Sequence, residues 1–263
     1  MTTRWLSQVE TLALEPSATV VCCDFDGTIA DIVDDPQMAQ ARPEALSALV
    51  SLATRFQSVA VISGRPVSFL QTTLGNEVAS VVHVFGRYGA ERLTSDGAVS
   101  ALGVTPEIRR QFATIAEEAR RVAPGVRVED KQGSLALHWR EAPGVSERLL
   151  ELSVSEAAAG LEVRPGRQMV DLVVRGAPTK GTTLATLLSG GARRGCFLGD
   201  DVGYLEAFDA LDAFEASGGT AVRVAVASAE MPAALGERAD LVLEDSGEAA
   251  EFLSELAARV TPH

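Results

Sequence analysis

Lysine is almost absent from this 263-residue chain: 21 of its basic residues are arginine and only two, Lys131 and Lys180, are lysine. A chain that prefers Arg this strongly keeps Lys where a compact point charge serves and a planar fork does not. Cysteine is scarce too. Three thiols, two of them adjacent at Cys22 and Cys23 in an apolar run, make no disulfide framework and read as small core residues. Positive charge is in deficit, with 23 Lys and Arg against 36 Asp and Glu and a net charge of −13. That balance argues against nucleic-acid and anionic-membrane partners, since both need a basic face. No apolar run approaches the ~20 residues of a membrane span. The N-terminal Met1-Thr2-Thr3-Arg4-Trp5 lacks the apolar core of a signal peptide. The expectation is a cytoplasmic protein with no membrane and no obligate protein partner. Internal repeats and low-complexity tracts are also lacking.

What is present starts with 46% apolar residues, ample for a core in one large α/β domain or two smaller ones. The most informative stretch is Val20-Val21-Cys22-Cys23-Asp24-Phe25-Asp26-Gly27-Thr28. An apolar strand ends in two carboxylates spaced i, i+2, and a Gly follows. Side chains alternate along a strand, so Asp24 and Asp26 are expected to point the same way. In open parallel sheets this edge is where ligands bind. Two like charges so close are costly without a cation or a shared proton. The pattern asks for a metal, an acid/base pair, or both; taken alone, the spacing also fits a solvated acidic turn.

Apolar strands at 19–25, 58–63 and 81–85 alternate with helical patterns at 43–56 and 67–74, which implies a parallel sheet covered by helices. A short hairpin is expected around Asp96-Gly97. From 102 to 175 the pattern changes to helix (106–122), strands (126–130 and 134–139), helix (146–158) and strands (161–164 and 169–174). The wound pattern then resumes with a helix at 180–189, a strand at 195–199, a short helix from 202, strands at 220–226 and 241–243, and a helix at 246–259. The expected fold is α/β, a wound, Rossmann-like parallel-sheet core (1–101 and 176–263) with an inserted smaller α+β cap domain (102–175). Charge supports the division: the insert holds 11 basic and 11 acidic residues, so the rest carries the whole −13. A phosphorylated ligand would meet less repulsion at the insert, and the core needs a cation at its site.

Four places in the wound part deliver polar groups at strand ends or helix starts. They are Asp24 and Asp26, then Ser63-Gly64-Arg65, then Thr179-Lys180-Gly181 opening a helix where an anion is favoured, and last Gly199-Asp200-Asp201. Each has a plainer reading, as a helix cap for Ser63 or the Asp200-Asp201 pair and as a surface charge for Lys180. Four such coincidences in this order make chemistry the better reading. The chain resembles the haloacid-dehalogenase-type phosphatases at these four motifs, and more narrowly is similar to trehalose-6-phosphate phosphatases over nearly its whole length. The narrower likeness includes Ile32-Val33-Asp34-Asp35-Pro36, Ser63-Gly64-Arg65-Pro66 and Gly86-Arg87-Tyr88-Gly89-Ala90-Glu91. It also includes Val128-Glu129-Asp130-Lys131, Ala136-Leu137-His138 and Arg164-Pro165-Gly166.

The resemblance implies a Mg²⁺-dependent sugar-phosphate phosphatase of trehalose biosynthesis. Asp24 is the implied nucleophile and Asp26 the acid/base, while Ser63 and Lys180 hold phosphoryl oxygens. The metal is implied on the Asp24 carboxylate, the Asp26 carbonyl and the Asp200 carboxylate. The cap would choose a phosphorylated sugar through Glu129, Lys131, Arg164 and Asp171, with Gly64 and Arg65 contributing from the core. Two positions depart from the family pattern. Tyr204 stands where another Asp supports metal or lysine, leaving Asp201 or Glu206 to cover that role, and Asp171 stands where a sugar-contacting Glu is expected. Alternative readings are a phosphatase for a related phosphorylated disaccharide or pseudo-disaccharide, and a non-catalytic sugar-phosphate sensor. His138 reads as a structural residue.

Overall fold

The computed structural model describes residues 3–131, 133–155, 158–166, 168–200, 203–227 and 233–260. The chain divides into two compact units, Met1–Ser100 with Pro178–His263, and Ala101–Ala177. Among the described residues no helix is long and apolar enough to cross a membrane.

The first unit opens with a helix, α1 (Leu6–Ala13), then alternates β1 (Thr19–Cys23), α2 (Pro43–Ala53), β2 (Ser58–Ile62), α3 (Val67–Val81) and β3 (His83–Gly86), and ends in short strands β4 (Glu91–Leu93) and β5 (Val99–Ala101). The second unit contains α4 (Pro106–Val122), β6 (Arg127–Asp130), β7 (Ser134–His138), α5 (Ser146–Ser153), β8 (Leu161–Gly166) and β9 (Met169–Val174). The first unit resumes with α6 (Lys180–Leu188), β10 (Arg194–Gly199), α7 (Gly203–Ala216), β11 (Thr220–Val226), α8 (Ala233–Arg238), β12 (Leu241–Leu243) and α9 (Ser246–Val260).

The larger sheet runs β12-β11-β10-β1-β2-β3-β4-β5. It is parallel from β12 to β3 and turns antiparallel at β4. Central strands β1 and β2 are buried at every residue, as parallel strands covered on both faces require. Their side chains alternate between two cores. Val21, Cys23, Val59 and Val61 pack with Leu49 and Leu52 of α2 and with Phe252 and Leu256 of α9. Val20, Cys22, Ala60 and Ile62 pack with Leu184 and Leu188 of α6 and with Phe208 and Leu211 of α7. Cys22, Cys23 and Cys196 are free, fully buried thiols, and burial pushes all three well above the ordinary cysteine range. They are core residues, as expected.

Several boundaries moved from the sequence expectation. α3 continues past Leu74 to Val81, but Gly75 breaks it at φ +78°, which is why the pattern faded there. α7 is a full 14-residue helix where a short one was expected. α5 ends at Ser153, before the expected Ala158. β8 runs through Pro165 to Gly166, so the turn falls after that pair, with Gln168 at φ +53°. α1 was not anticipated; it follows Trp5, whose ring meets Phe252 edge-on at 6.3 Å.

The second unit is an antiparallel sheet of order β6-β7-β9-β8. α4 begins as its residues dictate: the Thr105 hydroxyl accepts from the Ile108 amide at 3.4 Å, Pro106 opens the first turn, and Arg120 and Arg121 close the last. Phe112, Ile115 and Ala119 of α4 and Leu149 and Leu152 of α5 meet Leu135, Leu137, Val170 and Leu172 in one core. The residues alternating with these on β7 and β9 therefore occupy the other face of the sheet.

Candidate active site

The chain winds outward from β1 to β3 on one side and from β10 to β12 on the other. β1 and β10 thus flank the topological switch point, where an open parallel sheet leaves a crevice at its carboxyl edge. Asp24, Ser63 and Asp200 each follow directly on the last residue of a neighbouring strand there, β1, β2 and β10.

β1 stops at Cys23, yet the Asp24 amide still donates to the Leu198 carbonyl at 3.1 Å, which seats Asp24 in the seam with β10. The Phe25 carbonyl then accepts from the amides of Thr28, Ile29 and Ala30 and closes the turn. By alternation Asp24 follows Val20 and Cys22 toward α6 and α7. There Lys180 Nζ donates to Asp24 Oδ2 at 3.1 Å. Lys180 is 2% exposed and Asp24 4%, which rules out both the surface charge and the solvated turn. A buried ammonium persists when a carboxylate faces it. Lys180 is placed by a reciprocal cap: the Thr179 hydroxyl accepts from the Thr182 amide at 3.2 Å, and the Thr182 hydroxyl accepts from the Thr179 amide at 2.8 Å.

Asp26 engages a different cation. Arg65 Nε and Nη2 donate to its two carboxylate oxygens at 2.8 and 2.7 Å, a bidentate fork. The guanidinium also lies 4.5 Å from the centroid of Phe69, which meets Phe25 edge-on. Arg65, expected at the substrate, is therefore a partner of the expected acid/base. Ser63 is buried, its amide donates to the Phe85 carbonyl at 3.0 Å, and its hydroxyl accepts from the Arg65 amide at 3.2 Å. It does not cap α3, whose cap residue is Pro66 and whose first amide, on Val67, donates to Glu91 Oε2 at 2.7 Å.

Asp200 is 4% exposed and lies against the β1 turn. Gly27 sits there at φ +69°, and a Cβ on it would stand 2.1 Å from Asp200 Oδ2, so this position requires glycine twice over. Asp24 and Asp200 are buried carboxylates, hard oxygen donors, at the ends of neighbouring strands. Among the described residues no group of three or more His, Cys, Asp or Glu gathers elsewhere or here. One or two carboxylates, with waters retained, is the usual protein share of Mg²⁺ coordination, so the residues fit that ion. Asp201 and the side chain of Tyr204 lie outside the described residues; Glu206 is exposed on the first turn of α7. A cleft of about 550 Å³ elsewhere in this unit, among Trp5, Arg42, Glu44, Glu251 and Glu255, collects carboxylates around no nucleophile facing a fixed cation and is not the site.

In the second unit the expected sugar contacts form a row. Glu129 stands opposite Ala136, Ala136 opposite Asp171, and Asp171 opposite Arg164. The row lies on the sheet face away from α4 and α5. Lys131 Nζ reaches Asp171 Oδ2 at 2.9 Å, and Arg164 donates to Glu162 Oε1 at 2.9 Å and to the Ala177 carbonyl at 2.8 Å. Asp171 is buried, and its Oδ1 accepts no hydrogen bond among the described residues. Glu129 meets His138 Nε2 at 2.9 Å, and this bond, ahead of the nearby Lys131 and Arg127 charges, lowers its carboxyl to about 2. His138 is thus the partner of Glu129.

Sequence reasoning did not see what Tyr88, Gly89 and Glu91 do. Tyr88 and Gly89 press on Gly64 and Thr183, while Arg87 Nε donates to Glu91 Oε1 at 2.6 Å. The only available signal was the string Gly86–Glu91 itself, which names no role.

Residues 22–237 match the trehalose-phosphatase family. A trehalose-phosphate phosphatase of Mycobacterium avium (strain 104) is 34% identical over 202 residues, which cover 72% of this chain and 50% of that protein. The chain spans about half the length of the curated relatives it matches. In structure it is similar to the C-terminal domain of Candida albicans trehalose-6-phosphate phosphatase, with TM-score 0.76 and 19% identity over 98% of this chain and 97% of that one. A haloacid dehalogenase-like hydrolase from Bacteroides thetaiotaomicron shares the fold at TM-score 0.66 and 14% identity, over 92% of this chain and 99% of the other. With its fold, its strand-end carboxylates and this match in agreement, the chain belongs to the trehalose-phosphatase family.

Proposed function

We propose that this chain is a phosphoric monoester hydrolase that removes phosphate from a sugar, with trehalose-6-phosphate as the substrate its family and relatives favour. The observation that carries the reading is the buried Asp24–Lys180 pair at the β1 edge: a carboxylate that can attack, faced by a cation fixed in place.

Asp24 would attack phosphorus in line and form an aspartyl-phosphate as the sugar oxygen leaves. Lys180 would neutralise charge on the phosphoryl oxygens from its buried position beside Asp24. Ser63 accepts the Arg65 amide, which leaves its own O–H to donate to a phosphoryl oxygen. Asp26 would protonate the departing sugar oxygen and then activate the water that cleaves the aspartyl-phosphate. Arg65 takes one lone pair on each Asp26 oxygen, so the fork can hold the carboxylate in place while a second lone pair on each oxygen stays open for proton transfer. An incoming phosphate dianion is a competitor for that fork. Asp24, Asp26 through its carbonyl, and Asp200 would hold Mg²⁺, whose charge would offset the repulsion between a phosphate dianion and a carboxylate. On the inserted unit, Asp171 Oδ1 is a buried acceptor suited to a sugar hydroxyl, with Glu129, Lys131 and Arg164 in the same row or beside it.

The test is a side-by-side kcat/KM for trehalose-6-phosphate and other sugar 6-phosphates in Mg²⁺. Trehalose-6-phosphate is expected to lead by at least about tenfold, or ~1.4 kcal/mol. A flat profile would reject the trehalose assignment, and binding without release of phosphate from any sugar phosphate would establish the sensor reading instead.

Two substitutions probe the site further. Arg65→Lys keeps the charge and loses the fork, so kcat/KM is expected to fall about tenfold with the melting temperature nearly unchanged. Full activity in that variant would show that the fork does not position Asp26. Tyr204→Asp is expected to raise kcat/KM or to lower the Mg²⁺ concentration giving half-maximal rate. Reduced activity would show that Tyr204 has been recruited to another task.

A further inference from the structure

The string Gly86–Glu91 has no part in the chemistry above, yet it holds the most strained backbone near the site. Arg87, Tyr88 and Gly89 have successive φ values of +49°, +62° and +112°. The last is a glycine and pays little. A tyrosine in the left-handed region is a genuine outlier, costing of order 1–3 kcal/mol, and persists only where surrounding contacts over-determine it.

Those contacts are on both sides. The Tyr88 amide donates to the Ser63 carbonyl and the Arg87 amide to the Arg65 carbonyl, both at 2.9 Å, so the strained turn is stitched to the loop after β2. The Tyr88 carbonyl accepts from the Thr183 hydroxyl at 2.8 Å, one turn along α6 from Lys180. Arg87 is tied to Glu91, and Glu91 caps α3 at Val67. The backbone thus braces the Ser63 loop against the start of α6.

The side chain then does something the brace alone does not require. The Tyr88 hydroxyl would lie 2.8 Å from a Cβ on Gly64, so the ring extends over that glycine. Its face stands 5.7 Å from Lys180 Nζ, within the range of a cation–π contact. Lys180 has a flexible four-carbon stem, and a salt bridge to Asp24 at 3.1 Å fixes one end of it from one direction. An aromatic face on a second direction confines the ammonium without competing for its protons as a carboxylate would.

We infer that Tyr88 is a positioning residue for the reaction: its ring face holds the Lys180 ammonium in place beside Asp24, and the left-handed backbone is what brings the ring there. The inference rests on the phosphatase reading of the site. Misplacing a charge-neutralising group by about 1 Å costs on the order of a hundredfold in rate, which sets the size of effect to look for.

The experiment compares Tyr88→Phe and Tyr88→Asn in the whole chain with Mg²⁺ and the best sugar phosphate found for the unaltered protein. Phe keeps the ring and loses only the hydroxyl. Asn tolerates the left-handed region and removes the ring. Tyr88→Asn is expected to lose about 10- to 100-fold in kcat with KM changed less than about threefold and no fall in melting temperature, whereas Tyr88→Phe stays within about threefold of the unaltered protein. Should the Asn variant fold poorly, Tyr88→Gly relieves the strain completely and carries the same expectation. An active ring-less variant, or a Phe variant as impaired as the Asn one, overturns the inference, as does a kcat loss that follows a matching drop in melting temperature. If the unaltered chain hydrolyses no sugar phosphate, the phosphatase reading fails and this inference falls with it; an active unaltered chain with an equally active Tyr88→Asn overturns this inference alone.

Discussion

Asp24→Asn is expected to abolish phosphate release, by at least about a thousandfold, in a chain that still folds. The amide keeps the shape of the side chain and an oxygen for Lys180 to donate to, but it cannot take up a phosphoryl group. Steady-state phosphate release beside a circular-dichroism melt separates the two effects. Turnover near the original level would remove Asp24 as the nucleophile. A chain that no longer folds would instead show that the buried charge pair is a structural requirement.

The second large effect belongs to the other half of that pair. Lys180→Met is expected to lose activity as completely as Asp24→Asn and to lose stability as well, by about 3–5 kcal/mol, because it leaves a buried carboxylate without the ammonium that faced it. The double variant Asp24→Asn with Lys180→Met should then be more stable than Lys180→Met alone. Removing the stranded carboxylate takes away the charge whose burial is the problem, and the coupling is read from the four corners of a double-mutant cycle of urea midpoints. Strict additivity in that cycle would mean that the 3.1 Å contact contributes nothing to the fold.

Much of this site could be read from the chain because its groups stand where local patterns end. A buried parallel strand is a continuous apolar run, so Asp24, Ser63 and Asp200 each announce themselves as the first polar residue after one. Helix 106–122 and strands 169–174, 220–226 and 241–243 follow the expected bounds, since Pro, Gly and the apolar period mark their ends. What could not be read is what depends on pairing across distance. Nothing local says that Arg65 closes on Asp26, 39 residues earlier, or that β10 slots in beside β1. Nor does the expectation that Asp24 and Asp26 point the same way say which cation each meets: Lys180 faces Asp24, while Arg65 holds Asp26. Tyr88 was illegible for a further reason. Residue preferences argue against a tyrosine at φ +62°, so only the packing around it reveals the conformation. The length of α7 was there to be read, since Leu205, Phe208, Leu211 and Phe214 recur at a helical spacing through the 14 residues of the helix.

The central claim is that Asp24 takes the phosphoryl group before water does. The stereochemical course at phosphorus tests it most directly, using a sugar phosphate made chiral at phosphorus with oxygen isotopes. Two successive in-line displacements, by Asp24 and then by water, predict net retention of configuration in the released phosphate. Net inversion would mean that water attacks the substrate directly, and would contradict the account.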